Sequence, residues 1–361
     1  MLQMPLFTPQ TEWIPPEEFP DLSKYKEIAI DLETKDPDLI KMGSGSVTGN
    51  GHVTGIAVAV EGWSGYYPIA HEGGGNMDQG RVLSWFRDVM KTKALKIFHN
   101  AMYDMSWIMT LGIPEINGRV VDTMIATAIV DENRRRYDLN SCTREYIGKG
   151  KDESVLYATA KEWGVDPKAE MYKLPAMYVG SYAEKDAEIT LELWNYLKQE
   201  IMNQDLEAIF KLETDLFPCL VAMRHKGVRV DEELAHKYKK ELVGKENKLL
   251  EKVKKETNVE VQIWAARSIA QVFDKLKIHY DRTEKTHAPS FTKNFLSNHP
   301  HPLVKLIAQA REINKAHTTF IDTILKHAHK GRIYSEINQL RSDNGGTVTG
   351  RFSYAHPNLQ Q

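Results

Sequence analysis

From Ile28 to Thr34 apolar and acidic residues alternate at the two-residue period of a β-strand, which sends Asp31 and Glu33 to one face of a sheet and Ile30 and Leu32 to the other. The same pattern predicts a strand over Val53–Val60, entered through a hairpin turn at Asn50-Gly51, and a third over Tyr66–Ile69. Apolar spacing then becomes helical over Asp78–Met90, where Val82, Leu83, Phe86, Val89 and Met90 share a side. A short buried strand is predicted over Leu95–Phe98, a helix from Asn100 through Met105, Ile108 and Met109, another strand at Val120–Val121, and helices over most of 122–148 and 179–202. Strands first, then strands mixed with helices, describe an α/β or α+β domain reaching to about residue 205. Beyond it, 206–226, 232–257, 265–276 and 303–329 read as helices, Gly331–Leu340 returns to strand character, and Asn344-Gly345-Gly346 reads as a turn.

Composition narrows the classes. The 361 residues suffice for two domains, carry no uncharged run long enough for a bilayer, and begin without a secretory signal pattern. Cys142 and Cys219 exclude a disulfide framework and a Cys-rich zinc site, and fit a reducing cytoplasm. A net charge of −2 neither announces nor excludes a nucleic-acid partner, since a local basic stripe is enough. The glycine-rich run 43–51 lacks the spacing of a dinucleotide fingerprint and the lysine of a phosphate loop, so it reads as a loop. The Lys- and Glu-rich stretch Leu234–Thr257 fits either a solvated helix face or a helix touching a phosphate backbone.

Two carboxylates side by side on an otherwise apolar strand repel unless a cation sits between them, and hard oxygen ligands suit Mg²⁺ or Mn²⁺. Two further pairs extend the pattern: Asn100 and Asp104 lie four residues apart at a strand-to-helix junction, and Tyr182 and Asp186 share a helix face. Asp31, Glu33, Asp104 and Asp186 are then four acids able to hold two divalent cations about 3.5–4 Å apart, a clamp for in-line phosphoryl displacement. Tyr182, neutral at physiological pH, has a hydroxyl suited to orienting an attacking water. Each pair alone is commonplace; their joint occurrence, each in its expected strand or helix setting, favours a site.

The set Asp31/Glu33, Asn100/Asp104, Tyr182/Asp186 resembles the three motifs of the tyrosine branch of the DEDD exonucleases. The resemblance implies a ribonuclease-H-like fold with a mixed central sheet, and removal of nucleotides from 3′ ends with two metal ions. It implies that Asp31 bridges both ions, that Glu33 and Asp186 complete the first site, that Asp104 serves the second through water, that Tyr182 positions the nucleophile, and that Asn100 supports the strand end and the substrate. Asp122-Thr123-Met124 matches a structural step of that family and receives no catalytic role.

Gly227-Val228-Arg229-Val230-Asp231 resembles the start of the polymerase region of family A DNA polymerases, and His301 through Arg311, Lys315, Thr318 and Thr319 resembles the family's long thumb helix and its approach. Thr349-Gly350-Arg351-Phe352-Ser353-Tyr354-Ala355-His356-Pro357-Asn358-Leu359-Gln360 is similar to its palm segment, which implies a minor-groove contact with the primer end for Arg351. The implied organisation is a lead-in at 1–25, a 3′–5′ exonuclease domain at 26–205, and the N-terminal part of a polymerase domain, a mainly helical thumb and an incomplete palm, at 206–361. Implied partners are a single-stranded 3′ end and a primer-template duplex, held in part by Arg311, Lys315, Arg351 and the lysines of 234–257, in the cytoplasm of a bacterium or phage-infected cell. The sequence stops at Gln361, before the strand that carries the family's first polymerase aspartate. The expectation is a proofreading exonuclease unable to polymerise alone, from a split or truncated polymerase, ending on an unpaired strand that invites a second chain. The competing readings are an RNA-processing exonuclease of the same superfamily and a non-catalytic DNA-binding subunit.

Overall fold

A computed structural model describes residues 10–113, 115–343 and 345–360. Residues 1–9 of the expected lead-in, Asn344 of the expected turn and Gln361 lie outside the described residues. The chain packs as two compact units, one reaching to Gly227 and resuming at Tyr334, the other spanning Val228–Ile333.

The first unit is built on a five-stranded sheet of β1 (Glu27–Lys35), β2 (His52–Val60), β3 (Trp63–Pro68), β4 (Leu95–Phe98) and β5 (Val120–Asp122), in the order β3-β2-β1-β4-β5. β1–β2 and β2–β3 are antiparallel, β1–β4 and β4–β5 parallel, which gives the expected mixed sheet. The connection from β1 to β2 is longer than a tight hairpin: residues 36–51 include the single helical turn α1 (Leu39–Met42) and a 3₁₀ turn, and Asn50-Gly51 only closes it. Gly51 is required there, because its φ is +132° and a Cβ would meet the Lys35 carbonyl.

Around the sheet lie α2 (Gln79–Lys91), α3 (Ala101–Thr110), α4 (Thr123–Val130), α5 (Leu139–Ile147), α6 (Ser154–Trp163), α7 (Gly180–Asn203), α8 (Glu207–Asp215) and α9 (Phe217–Lys226). The alternation in β1 divides two cores. Ile28, Ile30 and Leu32 pack with Ile56, Val58 and the apolar sides of α2, α3 and α9. Ala29, Ala57 and Ala59 lie beneath α7, and their small side chains allow that helix close to the strand that carries the acids. α6 was not among the expected elements, although buried Leu156, Ala160 and Trp163 recur at helical spacing.

The second unit contains β6 (Val228–Arg229), α10 (Glu232–Thr257), α11 (Ala266–Leu276), α12 (Lys293–Asn298), α13 (Pro302–Lys315), a π-helical stretch at Ala316–Ile321, α14 (Asp322–His327) and β7 (Arg332–Ile333). The π-helical stretch interrupts the helix expected over 303–329. α10 is capped by Asp231, carries Glu232 and Glu233 in its first turn and Lys254 and Lys255 in its last, and packs on α13 over a core that includes Val253, Phe273, Val304 and Ile307. Most of its charges are solvated; Glu246 is buried and accepts from Asn314 Nδ2 at 3.0 Å and His317 Nε2 at 2.6 Å.

The strand character of Gly331–Leu340 is divided. β7 pairs with β6 in the second unit, whereas β8 (Glu336–Asn338) belongs to the first and pairs antiparallel with β9 (Ser353–Ala355). The expectation of an unpaired final strand is therefore corrected: Glu336↔Ala355, Ile337↔Tyr354 and Asn338↔Ser353 pair in a two-stranded ribbon. Ile337 joins the core under α9, and the Arg224 guanidinium of α9, whose side chain is 1% exposed, donates to Glu336, which also accepts from the Ser44 amide at 2.6 Å. Arg224→Ala removes a buried guanidinium and leaves Glu336 with the Ser44 amide in place of its ion pair, and is expected to cost about 3 kcal/mol in urea unfolding. An unchanged midpoint would show that the ribbon does not depend on this pair.

Candidate active site

Asp31 and Glu33 leave β1 on the face that α7 covers, where Asp186 and, one turn earlier, Tyr182 point down at them. A carboxylate oxygen of each of Asp31, Glu33 and Asp186 lies within 4.8 Å of the others. The pairing register shifts between Glu33 and Thr34, so β1 kinks as it leaves the cluster. Opposite Glu33 stands Gly55, whose missing side chain makes room for Tyr66: a Cβ there would fall 2.0 Å from the phenol oxygen. Asp186 is buried, while Asp31 and Glu33 lie deep among protein atoms but keep an opening to solvent.

Asp104 reaches the neighbourhood from α3, yet its Oδ1 accepts the Leu32 amide at 3.1 Å and it stands outside the three-acid group. Asn100 caps α3 in the left-handed conformation, with φ 71° and ψ 51°. That turn is held by Asp122, which accepts from the amides of Asn100 at 2.9 Å, Ala101 at 2.8 Å and Met124 at 2.8 Å, the structural part expected for this residue. His99 is fixed beside it: Nε2 donates to the Tyr137 carbonyl and Nδ1 meets the Thr123 hydroxyl, both at 2.9 Å. Burial, with Lys151 adding to it, holds the His99 pKa down at about 4, so the ring is neutral.

The acids crowd one another. Burial, then the charge of Asp186, pushes Asp31 up to about 7 against the pull of Lys151 and Lys168. Burial and then Asp31 raise both Glu33 and Asp104 well above the carboxylate range. Asp186 is raised by burial despite Lys151, and Tyr182 is raised by burial and the three acids, so its phenol keeps its proton.

Two lysines that no sequence pattern marks among the 47 Lys and Arg complete the site. Lys151, in the loop after α5, places Nζ 2.5 Å from Asp186 Oδ2 and 3.3 Å from the Tyr182 oxygen. Lys168, in the turn after α6, donates to the Tyr182 oxygen at 3.0 Å and to Glu153 at 2.5 Å. The other oxygen of Asp186, Oδ1, is buried with no hydrogen-bond partner among the described residues.

Of the expected nucleic-acid contacts, Lys315 and Arg351 are exposed. Arg311 is committed elsewhere: Nε donates to the Ile263 carbonyl at 2.7 Å, Nη1 to the Phe291 carbonyl at 3.0 Å, and the guanidinium lies over Trp264.

A 3′–5′ exonuclease family model matches residues 10–202, and a DNA polymerase family A model matches 232–361. The chain belongs to the family A DNA polymerases. A DNA-directed DNA polymerase of Pseudomonas phage M6 is 35% identical to this family A chain over 100% of its length and 57% of the relative's. DNA polymerase DpoZ of Salmonella phage PMBT28 is 30% identical over 95% of this chain and 56% of its own. The fold is shared with the POL domain of Pol1 from M. smegmatis, solved in complex with DNA primer-template and dNTP, at a TM-score of 0.69 and 18% identity over 94% of this chain and 53% of that one. The chain thus spans just over half the length of these two phage relatives. Among its described residues no helix is long and apolar enough to cross a membrane.

Proposed function

We propose that this chain is a proofreading nuclease that removes nucleotides from DNA 3′ ends with two divalent cations, Mg²⁺ or Mn²⁺. The observation that carries the reading is the gathering of Asp31, Glu33 and Asp186 within 4.8 Å, with Asp186 Oδ1 buried and unpartnered among the described residues. A buried carboxylate oxygen without a donor costs free energy that a hard cation recovers, so these residues fit the ions. Asp31, Glu33 and Asp186 would hold one and Asp31 with Asp104 the other; bound, the pair would supply Lewis-acid stabilisation of the charge that grows on phosphorus and on the departing 3′ oxygen.

The remaining roles fall to the chain itself. Tyr182 keeps its proton, and its oxygen accepts from Lys168, which fixes the phenol where it can orient an attacking water. Asn100, locked in its turn by Asp122, would support the strand end and a terminal nucleotide. Lys315, Arg351 and the exposed lysines of α10 are proposed DNA contacts, while Arg311 holds the second unit together. We propose 26–205 as the exonuclease domain, after a lead-in at 1–25, and 206–361 as part of the polymerase domain. Nucleotide addition is not assigned to these residues. The phage relatives favour the cytoplasm of an infected bacterium as the setting.

A 5′-labelled single-stranded DNA should shorten stepwise from its 3′ end with Mg²⁺ or Mn²⁺ and stay intact in EDTA. RNA of the same sequence should be cut more slowly. Intact DNA with either ion, or preferred cutting of RNA, defeats the proposal.

A further inference from the structure

We propose that Lys151 is a built-in counter-cation for the carboxylate cluster, and that divalent ions bind by displacing its ammonium from Asp186. The inference rests on the metal-dependent reading above and adds a competitor to it. Lys151 Nζ sits 2.5 Å from Asp186 Oδ2 with its side chain only 11% exposed. Its backbone is anchored, since its amide donates to Asn140 Oδ1 of α5 at 3.2 Å, whereas the ammonium hangs on a flexible four-carbon stem. Lys168 is tied differently, to Glu153 and the Tyr182 oxygen rather than to the three clustered carboxylates.

One ammonium facing three carboxylates leaves the cluster under-neutralised. A divalent ion on Asp186 brings more charge, and at such range it repels the ammonium strongly. With the ion on the free Oδ1 and the ammonium on Oδ2 of the same carboxylate, the two cations stand within a few ångströms of each other, so the lysine weakens ion binding and ion binding expels the lysine, by the same coupling free energy. Lys151 therefore keeps the acids from driving themselves apart when no ion is bound, at the expense of affinity when one arrives.

The test is calorimetric titration with Mn²⁺ of the wild-type chain, Lys151→Met and Lys151→Gln, with thermal unfolding in EDTA alongside. Both variants should bind Mn²⁺ about tenfold more tightly, as removal of a competing charge in a buried site requires. Both should also melt at a lower temperature in EDTA, with the loss largely recovered by Mn²⁺. The amide introduced by Lys151→Gln keeps a donor for Asp186, so that variant carries the comparison if the methionine variant is poorly folded. A variant that folds only with Mn²⁺ supports the proposal, because the ion then replaces the missing ammonium. Equal or weaker Mn²⁺ affinity in the folded variants overturns the displacement while leaving the ion site in place; failure of the wild type to bind Mn²⁺ removes both.

Discussion

Asp31→Ala is expected to slow hydrolysis of DNA 3′ ends by about three orders of magnitude, a loss of roughly 4 kcal/mol of transition-state stabilisation, while raising the melting temperature of the protein in EDTA. The two effects have one cause. Asp31 is the acid placed between Glu33, Asp186 and Asp104, and it raises the pKa of both Glu33 and Asp104. In the presence of divalent ions its charge would be shared by both; in their absence it is either held protonated or, once ionised, repels its neighbours. Asp186→Ala should abolish activity as well but shift stability the other way, because it strands the buried ammonium of Lys151. Hydrolysis rates and melting curves in EDTA for the two variants decide the matter. Activity near the wild-type level in either variant sinks the site, and melting shifts of the same sign sink the electrostatic account of it.

The alternation in Ile28–Thr34 made β1 and the facing of its acids legible, because a strand with one face on α2 and α3 and the other under α7 must keep its polar residues together. Tyr182 and Asp186 were legible for a similar reason: a helical repeat with Ala183 and Ala187 beside them identifies the packing face. What escaped was set by tertiary contact. Nothing near Lys151 or Lys168 distinguishes them from surface lysines, since their partners lie on α7, 35 and 14 residues away. The division of Gly331–Leu340 between two units follows from which strand each half pairs with, information that β-propensity lacks. Arg311 was marked by its resemblance to the thumb helix, and a resemblance does not reveal that its Nε and Nη1 donate to two backbone carbonyls of its own unit.

The stability gained from Mg²⁺ should grow as pH rises from about 4 to about 7. Unfolded, Asp31 loses its proton near the ordinary 3.8; folded, it holds it to about 7. Between these values the folded chain binds a proton that the unfolded chain has released, so without ions stability falls as pH rises. Glu33, Asp104 and Asp186, all raised chiefly by burial, act in the same direction. His71 and His99 oppose them: burial lowers both from 6.5 to about 4, so what they contribute is present above 6.5 and lost as pH falls through 4. The raw pH curve mixes the two groups, and the difference between saturating Mg²⁺ and EDTA separates them. Ions filling the cluster keep its acids ionised in the folded state, which removes the carboxylate contribution, while the burial that chiefly lowers the histidines stays in place. Urea unfolding at intervals from pH 4 to 7, with Mg²⁺ and with EDTA, should give two curves that diverge toward neutrality for the wild type and diverge much less for Asp31→Ala. Parallel curves across that range would mean that the buried acids do not hold the protons their surroundings demand, and the frustrated cluster on which both the metal site and the Lys151 device depend would not exist.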